Sequence, residues 1–273
     1  MDPTKQGIYL YCLARLSRLP PLPLSGQGVD GRSSLEVAIF QDLAAVWSPV
    51  PVADFCGPEA EERLRDLTWI GPRVIRHQEV VAGVMRHSPV LPVRFGTIFA
   101  SRANLEKVLQ RHSDTIAGFL ERLRDQEEWA VKGMLDRTGA KDQLFSLKLA
   151  RKEESLEALG PGKRYVEEQR LRAACDQELQ RWLQKVCREV WTGLRDYAAE
   201  IQERRLLSRE TTGSDQDMVW NWALLIPRPA VGGFQAQIQD LNAQYAQRGL
   251  RLEVTGPWPP YSFCPALDME PEA

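Results

Sequence analysis

The stretch "EEWAVKGML", residues 127–135, starts a new pattern in mid-chain: after the charged break "RDQ" at 124–126, apolar and polar residues alternate well enough for a strand. The residues beyond it decide the architecture. From about Gly139 to Ile201 the spacing is helical, interrupted at "GPG" (160–162). Leu171, Cys175, Leu179, Trp182, Val186, Val190, Leu194, Tyr197 and Ile201 form one apolar stripe, which needs a partner surface. "ERRLLSRE" (203–210) and "MVWNWALLIP" (218–227) read as strands joined by turn-forming "TTGSDQD". "FQAQIQDLNAQYAQ" (234–247) puts Phe234, Ile238, Leu241 and Tyr245 on one helical face, Arg248-Gly249 ends it, and "LRLEVTG" is a last strand. The order is β, α, β, β, α, β, which is the split βαβ or ferredoxin-like arrangement: two helices on one face of a four-stranded antiparallel sheet.

Upstream the elements come in another order. "GIYLYCLA" (7–14) reads as a buried strand, and "SRLPPLPLSGQGVDGRSS" after it is loop chemistry. "LEVAIF" (35–40) and "LAAVWSPV" (43–50) make a hairpin around Gln41-Asp42. A short helix opens at Pro58 and is expected to break or bend at Gly71-Pro72, with a second helical segment running from Pro72 towards His87. "SPVLPVRFGTIF" (88–99) reads as one extended strand whose two prolines call for an edge or a bulge, and Leu105, Val108, Leu109, Ile116, Phe119, Leu120 and Leu123 mark the inner face of a helix. The expectation is an α+β protein of two domains: a small sheet covered by helices over 1–125, and the ferredoxin-like domain with its long helix over 126–263, leaving 264–273 as an acidic tail.

Thirty-five basic and thirty-seven acidic residues leave a formal charge of -2, which gives little long-range pull on a phosphate backbone or an anionic membrane. The five cysteines, Cys12, Cys56, Cys175, Cys187 and Cys264, are scattered without a C-x-x-C pair and read as reduced thiols of a cytosolic protein. "GQGVDG" (26–31) matches G-x-G-x-x-G only in letters, since a proline-rich loop precedes it and a strand follows, the reverse of what a dinucleotide site requires. His77, His87 and His112 lack a partner at ligand spacing and read as satisfied or exposed imidazoles. Glu61-Glu62, Glu127-Glu128 and Glu167-Glu168 read as solvated surface, and Trp182, Trp191, Trp220 and Trp222 as core. The sign-alternating run "LARKEESLEALGPGKRYVEEQRLR" reads as a solvated helical face held by i, i+4 pairs.

Two segments stand out as surfaces. Arg94 lies between Val93 and Phe95 inside an apolar strand, so it must reach solvent or a buried acceptor. In "GPWPPYSF" (256–263), Gly256-Pro257 is expected to end the last strand and Pro259-Pro260 to hold an extended course that lays Trp258, Tyr261 and Phe263 over a groove between the domains, as packing in preference to a docking motif.

"PVLPVRFGTIF", "EEWAVKGML" with the charged helix and "GPGKRYVEEQ" after it, and "LEVTGPWPPYSF" together resemble the gas vesicle protein F/L family, in order and spacing, from the first strand to Phe263. The resemblance implies an N-terminal α+β domain and a modified ferredoxin-like C-terminal domain. It also implies a non-enzymatic accessory protein needed for gas vesicle assembly, located at the gas vesicle and in the cytoplasm, with no cofactor. Its implied partners are the small hydrophobic shell protein A and other accessory proteins, with neither nucleic acid nor membrane; a chaperone-like, nucleating or minor structural role fits. Arg94, Phe95, Trp258 and Tyr261 are the candidate partner-binding residues. Two rival readings are a small-molecule or haem-binding enzyme on a ferredoxin-like scaffold, marked by converging ionisable groups in a deep pocket, and a single-stranded nucleic-acid binder, marked by exposed sheet aromatics with a basic rim.

Overall fold

The computed structural model describes residues 5–18 and 26–269, and internal contacts divide the chain into two compact units: Met1–Glu127 with Pro257–Ala273, and Glu128–Gly256. Residues 257–263, which the pattern put at the end of the second domain, are thus grouped with the first. The proline-rich run at 19–25 and the last four residues of the acidic tail lie outside the described residues.

The first unit is built on β1 (Gln6–Arg15), flanked by β3 (Leu43–Pro51) and β4 (Val90–Pro92), with β2 (Glu36–Phe40) outside β3 and β5 (Ile98–Phe99) also pairing β1. All these pairings are antiparallel. The β2–β3 hairpin turns at Gln41-Asp42, with Phe40 opposite Leu43, and Gln41 takes a φ of 54°, the left-handed value a tight hairpin turn demands even where asparagine or glycine is absent. The β1–β3 register shifts between Leu10 and Cys12, so Tyr11 is the extra residue of a bulge. The bulge explains why Tyr9, Tyr11, Cys12 and Ala14 all contribute to one core with Val80, Val81 and Val84. "GQGVDG" closes on itself: the Gly31 N–H donates to the Gly28 carbonyl at 2.8 Å, the Asp30 carboxylate accepts from Arg32 and Ser33, and the chain continues into β2.

Two expectations are corrected here. The chain breaks before α2 rather than at Gly71-Pro72: α1 (Pro58–Arg63) ends, Asp66 caps α2 (Leu67–Met85) by accepting the Thr68 N–H at 2.9 Å, and Pro72 lies inside α2. Pro72 falls in the second turn, where its ring removes one helix hydrogen bond and the following turns, buried at His77, Val80, Val81 and Val84, hold the helix. Residues 88–99 are not one unbroken strand but β4 and β5, which run in the same direction along the edge of β1 on either side of a turn in which Gly96 takes a φ of 85°. Both α2 and α3 (Arg102–Arg122) pack against β1.

The second unit holds a four-stranded antiparallel sheet in the order β7-β8-β6-β9: β6 (Gln126–Leu135), β7 (Glu200–Glu203), β8 (Asp217–Pro227) and β9 (Leu250–Trp258). Its helices are α4 (Arg137–Glu157), α5 (Pro161–Arg195), the four-residue α6 (Arg209–Thr212) and α7 (Val231–Tyr245). Trp220, Trp222, Leu224 and Ile226 share one face of β8 and meet Val186, Val190 and Leu194 of α5 and Phe234, Ile238 and Leu241 of α7. Trp220 lies flat on Gly133 of β6, where a Cβ would come within 2.2 Å of the indole. Asn242 ties α7 to β9, its amide donating to the Leu252 carbonyl at 3.0 Å and accepting the Leu252 N–H at 2.7 Å. Across the α4–α5 hairpin, Lys148 pairs with Glu178 at 2.7 Å and Lys152 with Glu167 at 3.2 Å, so the charged run is stitched between helices as well as by i, i+4 pairs such as Arg164–Glu168.

Three further readings are corrected. The α5 stripe stops at Leu194; Tyr197 follows the helix end and Ile201 belongs to β7, so the strand expected at 203–210 runs over Glu200–Glu203 instead. Gly256-Pro257 does not end β9, which continues through Trp258, and the extended course expected of Pro259-Pro260 breaks at Pro260, whose ψ of 52° leads into a tight 3-10 turn over Tyr261–Phe263, the Tyr261 N–H donating to the Pro259 carbonyl at 2.7 Å. Glu128 is not solvated: it is 1% exposed on central β6 and ion-paired with Arg204.

Candidate functional site

In the first unit, three segments remote in sequence meet around His77. The imidazole is buried on the inner face of α2, in register with Val81 and Val84 one and two turns on, and that spacing is the signal by which sequence reasoning could have found it. Its Nδ1 lies 3.0 Å from the Tyr9 hydroxyl and its Nε2 3.1 Å from the Tyr261 hydroxyl. Burial lowers the His77 pKa from 6.5 to about 4, against a smaller opposing effect of the Val93 backbone, so the ring is neutral at neutral pH, with one nitrogen donating and the other accepting. Burial also drives the Tyr9 hydroxyl well above its ordinary value and Tyr261 up to about 12. Both ring nitrogens and both hydroxyls thus have hydrogen-bond partners inside the fold.

The turn at Arg94–Thr97 is fastened to this cluster. The Thr97 N–H donates to the Arg94 carbonyl at 3.2 Å, and the Gly96 N–H donates to the Tyr9 hydroxyl at 3.2 Å. The Phe95 ring stands 5.9 Å from His77 and 6.0 Å from Tyr9, edge-on to both. With Phe95 drawn inward, Arg94 points to solvent, and no carboxylate lies within ion-pair reach of it among the described residues. Sequence reasoning left Arg94 a choice between solvent and a buried acceptor; the turn resolves it.

Arg94 and Tyr261 line one cleft of about 560 Å³, together with Leu91, Pro92, Leu267 and Met269, and no carboxylate is among its lining residues. One wall is the edge strand β4; the other is the segment after Phe263. That segment is fixed to α3 at three points: Arg122 donates to the Phe263 carbonyl at 3.1 Å, the His112 ring lies 3.0 Å from the Asp268 carbonyl oxygen, and Arg111 faces the Asp268 carboxylate at 3.8 Å. The Cys264 thiol donates to the Pro92 carbonyl at 3.7 Å, and Pro89 and Pro92 carry no N–H, so the β4 edge offers little to an added strand. Of the four candidate residues, the structure thus brings together Arg94, Phe95 and Tyr261. Trp258, 48% exposed, does not line the cleft. The members sequence reasoning missed are His77 and Tyr9.

Among the described residues, no group of three or more His, Cys, Asp and Glu side chains is placed to hold a metal ion, and no helix is long and apolar enough to cross a membrane.

A sequence model of the family described as gas vesicle synthesis protein GvpL/GvpF matches residues 7–265. Gas vesicle protein F of Streptomyces sp. (strain CB03234) is 30% identical over 266 residues, covering 93% of this chain and 98% of that protein. Gas vesicle protein L of the same strain is 28% identical over 243 residues, covering 89% and 87%. In fold, the chain resembles the crystal structure of gas vesicle protein GvpF from Anabaena sp. PCC7120, with a TM-score of 0.69 at 18% identity over 96% of this chain and 100% of that one. It also resembles GvpF from Microcystis aeruginosa, at 0.65 and 20% over 95% and 99%.

Proposed function

Because the chain belongs to the gas vesicle synthesis protein GvpL/GvpF family, we propose that it is an accessory protein of gas vesicle assembly that acts by binding and performs no covalent chemistry. Its partner in this reading is the small hydrophobic shell protein A, held before or during its addition to the growing shell, with other accessory proteins alongside. The protein works in the cytoplasm, at the gas vesicle, without a cofactor. The observation that carries the reading is the first-unit cleft: apolar walls, a guanidinium without a counter-ion, and no carboxylate in the lining. A chain that polymerises through apolar surface needs such surface covered until it assembles, and an apolar groove with one fixed charge supplies both cover and register. Arg94 contacts the partner, the Tyr261 ring forms part of the wall, and Phe95 positions the turn from within the His77 cluster. Side-chain docking into the cleft is favoured over strand addition at β4, whose edge is blunted by its prolines and by Cys264. Trp258 plays no part in this contact.

We further read the second unit as a modified ferredoxin-like domain. Supporting this are the element order β6, α4–α5, β7, β8, α7, β9 and the strand order β7-β8-β6-β9, with β8 lying between β7 and β6.

The test is co-expression with an affinity-tagged shell subunit. The wild-type chain is expected to co-purify, Arg94→Glu to lose most of that recovery while keeping its thermal midpoint, and deletion of the gene to abolish vesicles. Intact vesicles without the gene, together with no co-purification, would remove the assignment.

A further inference from the structure

The second unit has a cleft of its own, of about 480 Å³, bounded by Leu183 and Arg188 of α5, by Met218 and Trp220 of β8, and at the rim by Arg137 and Leu206. Its opening follows from how β7 ends. The β7–β8 ladder stops at Glu203 opposite Trp222, and after one further backbone bond, from the Arg204 N–H to the Asn221 carbonyl at 2.7 Å, the chain follows β8 through side chains. The Asn221 amide donates to the Arg205 carbonyl at 2.9 Å, and the Leu207 N–H donates to the Met218 sulfur at 3.4 Å. With those side chains standing between the segments, Leu206 and Leu207 are turned outward, 50% and 36% exposed. An exposed leucine pair next to a cleft is unusual for a free surface and common at a contact.

The charges are lopsided. Arg137 is held by Asp217 at 2.6 Å, and Asp217 is held at the same distance by Arg209, so that acid is doubly committed. Arg188 is exposed and has no carboxylate within ion-pair reach among the described residues. No carboxylate lines the cleft; Asp217, beside Met218 in sequence, is committed to Arg137 and Arg209, and Glu203, which acts electrostatically on Cys187, is not part of the wall. The apolar strip runs from the cleft floor out over Leu206 and Leu207, further than a small molecule seated in the cleft would reach, and a single spare guanidinium on a chain of net charge -2 is a poor anchor for nucleic acid.

We propose that this cleft docks a segment of a partner protein in which a carboxylate is flanked by apolar side chains, the carboxylate meeting Arg188, one apolar group entering between Leu183 and Met218, and the next covering Leu206 and Leu207. The surface is separate from the Arg94 cleft and stands without it, which gives the protein two contact surfaces of like chemistry, one in each unit.

The test uses the full chain and two short fluorescein-labelled peptides, one alternating leucine with glutamate, the other leucine with lysine, followed by anisotropy. The glutamate peptide is expected to bind at least about tenfold more tightly than the lysine peptide, and Arg188→Glu to remove at least about tenfold of that affinity with an unchanged thermal midpoint. Leu206→Asp should weaken binding in the same way, while Arg94→Glu should leave it unchanged. Equal binding of the two peptides, no binding by the wild-type chain, or full affinity in Arg188→Glu overturns the proposal. So does loss of affinity in Arg94→Glu alone, which would place the peptide in the first unit.

Discussion

His77 makes the stability of the first unit depend on pH in a window that can be worked out in advance. The unfolded chain takes up a proton on this imidazole near pH 6.5, whereas the folded chain resists until about 4, because burial disfavours the cation. The contribution is therefore fully present above 6.5 and is lost as pH falls through the window towards 4. At about 1.4 kcal/mol per tenfold change, the full window is worth about 3 kcal/mol, and lowering the pH from about 7.5 to about 5 removes about 2 kcal/mol. The perturbation is His77→Gln, whose amide can still donate and accept between Tyr9 and Tyr261 but does not titrate. The assay is peptide-resolved hydrogen exchange over β1, corrected for the pH dependence of the chemical exchange rate and converted to an opening free energy for both proteins. The carboxylates titrate alike in the two chains, so the difference between the curves isolates the imidazole. The wild type should lose about 2 kcal/mol more than the variant between those two pH values. Parallel curves would refute the reasoning, since they would mean that the ring is hydrated or equally protonated in both states.

Three other outcomes follow from the packing. Gly133→Ala places a methyl 2.2 Å from the Trp220 indole, so Trp220 must leave its position on the sheet; a loss of about 1–3 kcal/mol in urea unfolding is expected, and a neutral result would mean that the indole does not lie on β6. Gly96→Ala meets open space but keeps a φ of 85°, so its cost of about 1–2 kcal/mol is conformational, and Gly96→Asn, which tolerates that backbone better, should recover part of it in the same measurement. Phe263→Ala, at a ring 3% exposed, should cost about 3–5 kcal/mol, while Trp258→Ala, at a ring 48% exposed, should cost clearly less; equal thermal shifts would show that the terminal turn is not packed as described.

Much of the architecture was legible from period: the α5 stripe down to Leu194 and the Phe234–Tyr245 face became helices buried on the faces their spacing predicts, and "EEWAVKGML" became a strand, although its residues are buried without alternation. What failed did so where a local rule lost to its surroundings. Pro72 reads as a breaker, yet the four buried residues beyond it, His77 to Val84, hold α2 through it. Ile201 keeps helical register with Leu194, but the helix ends at Arg195, so the same apolar side chain serves a strand. Glu128 looks like half of a solvated pair until β6 takes a central place and Arg204 arrives from 76 residues away. The candidate site was half legible. Arg94, Phe95 and Tyr261 were visible as oddities of composition. That Phe95 and Tyr261 both meet His77 was not, since that contact spans 184 positions of chain in the case of Tyr261 and carries no local period.

The fastening of Tyr261 to His77 and of Phe263 to Arg122 has a consequence for the order of events on the ribosome. Glu128–Gly256 is contiguous in sequence and can complete its own contacts as soon as it clears the exit tunnel, whereas the unit that is synthesised first must wait for residues made near the end. The earliest-made half is the last to be finished, so a stalled or prematurely terminated chain would present its sheet without the closing turn, and a fusion placed after Met269 would burden the N-terminal half of the protein rather than the half it adjoins in sequence.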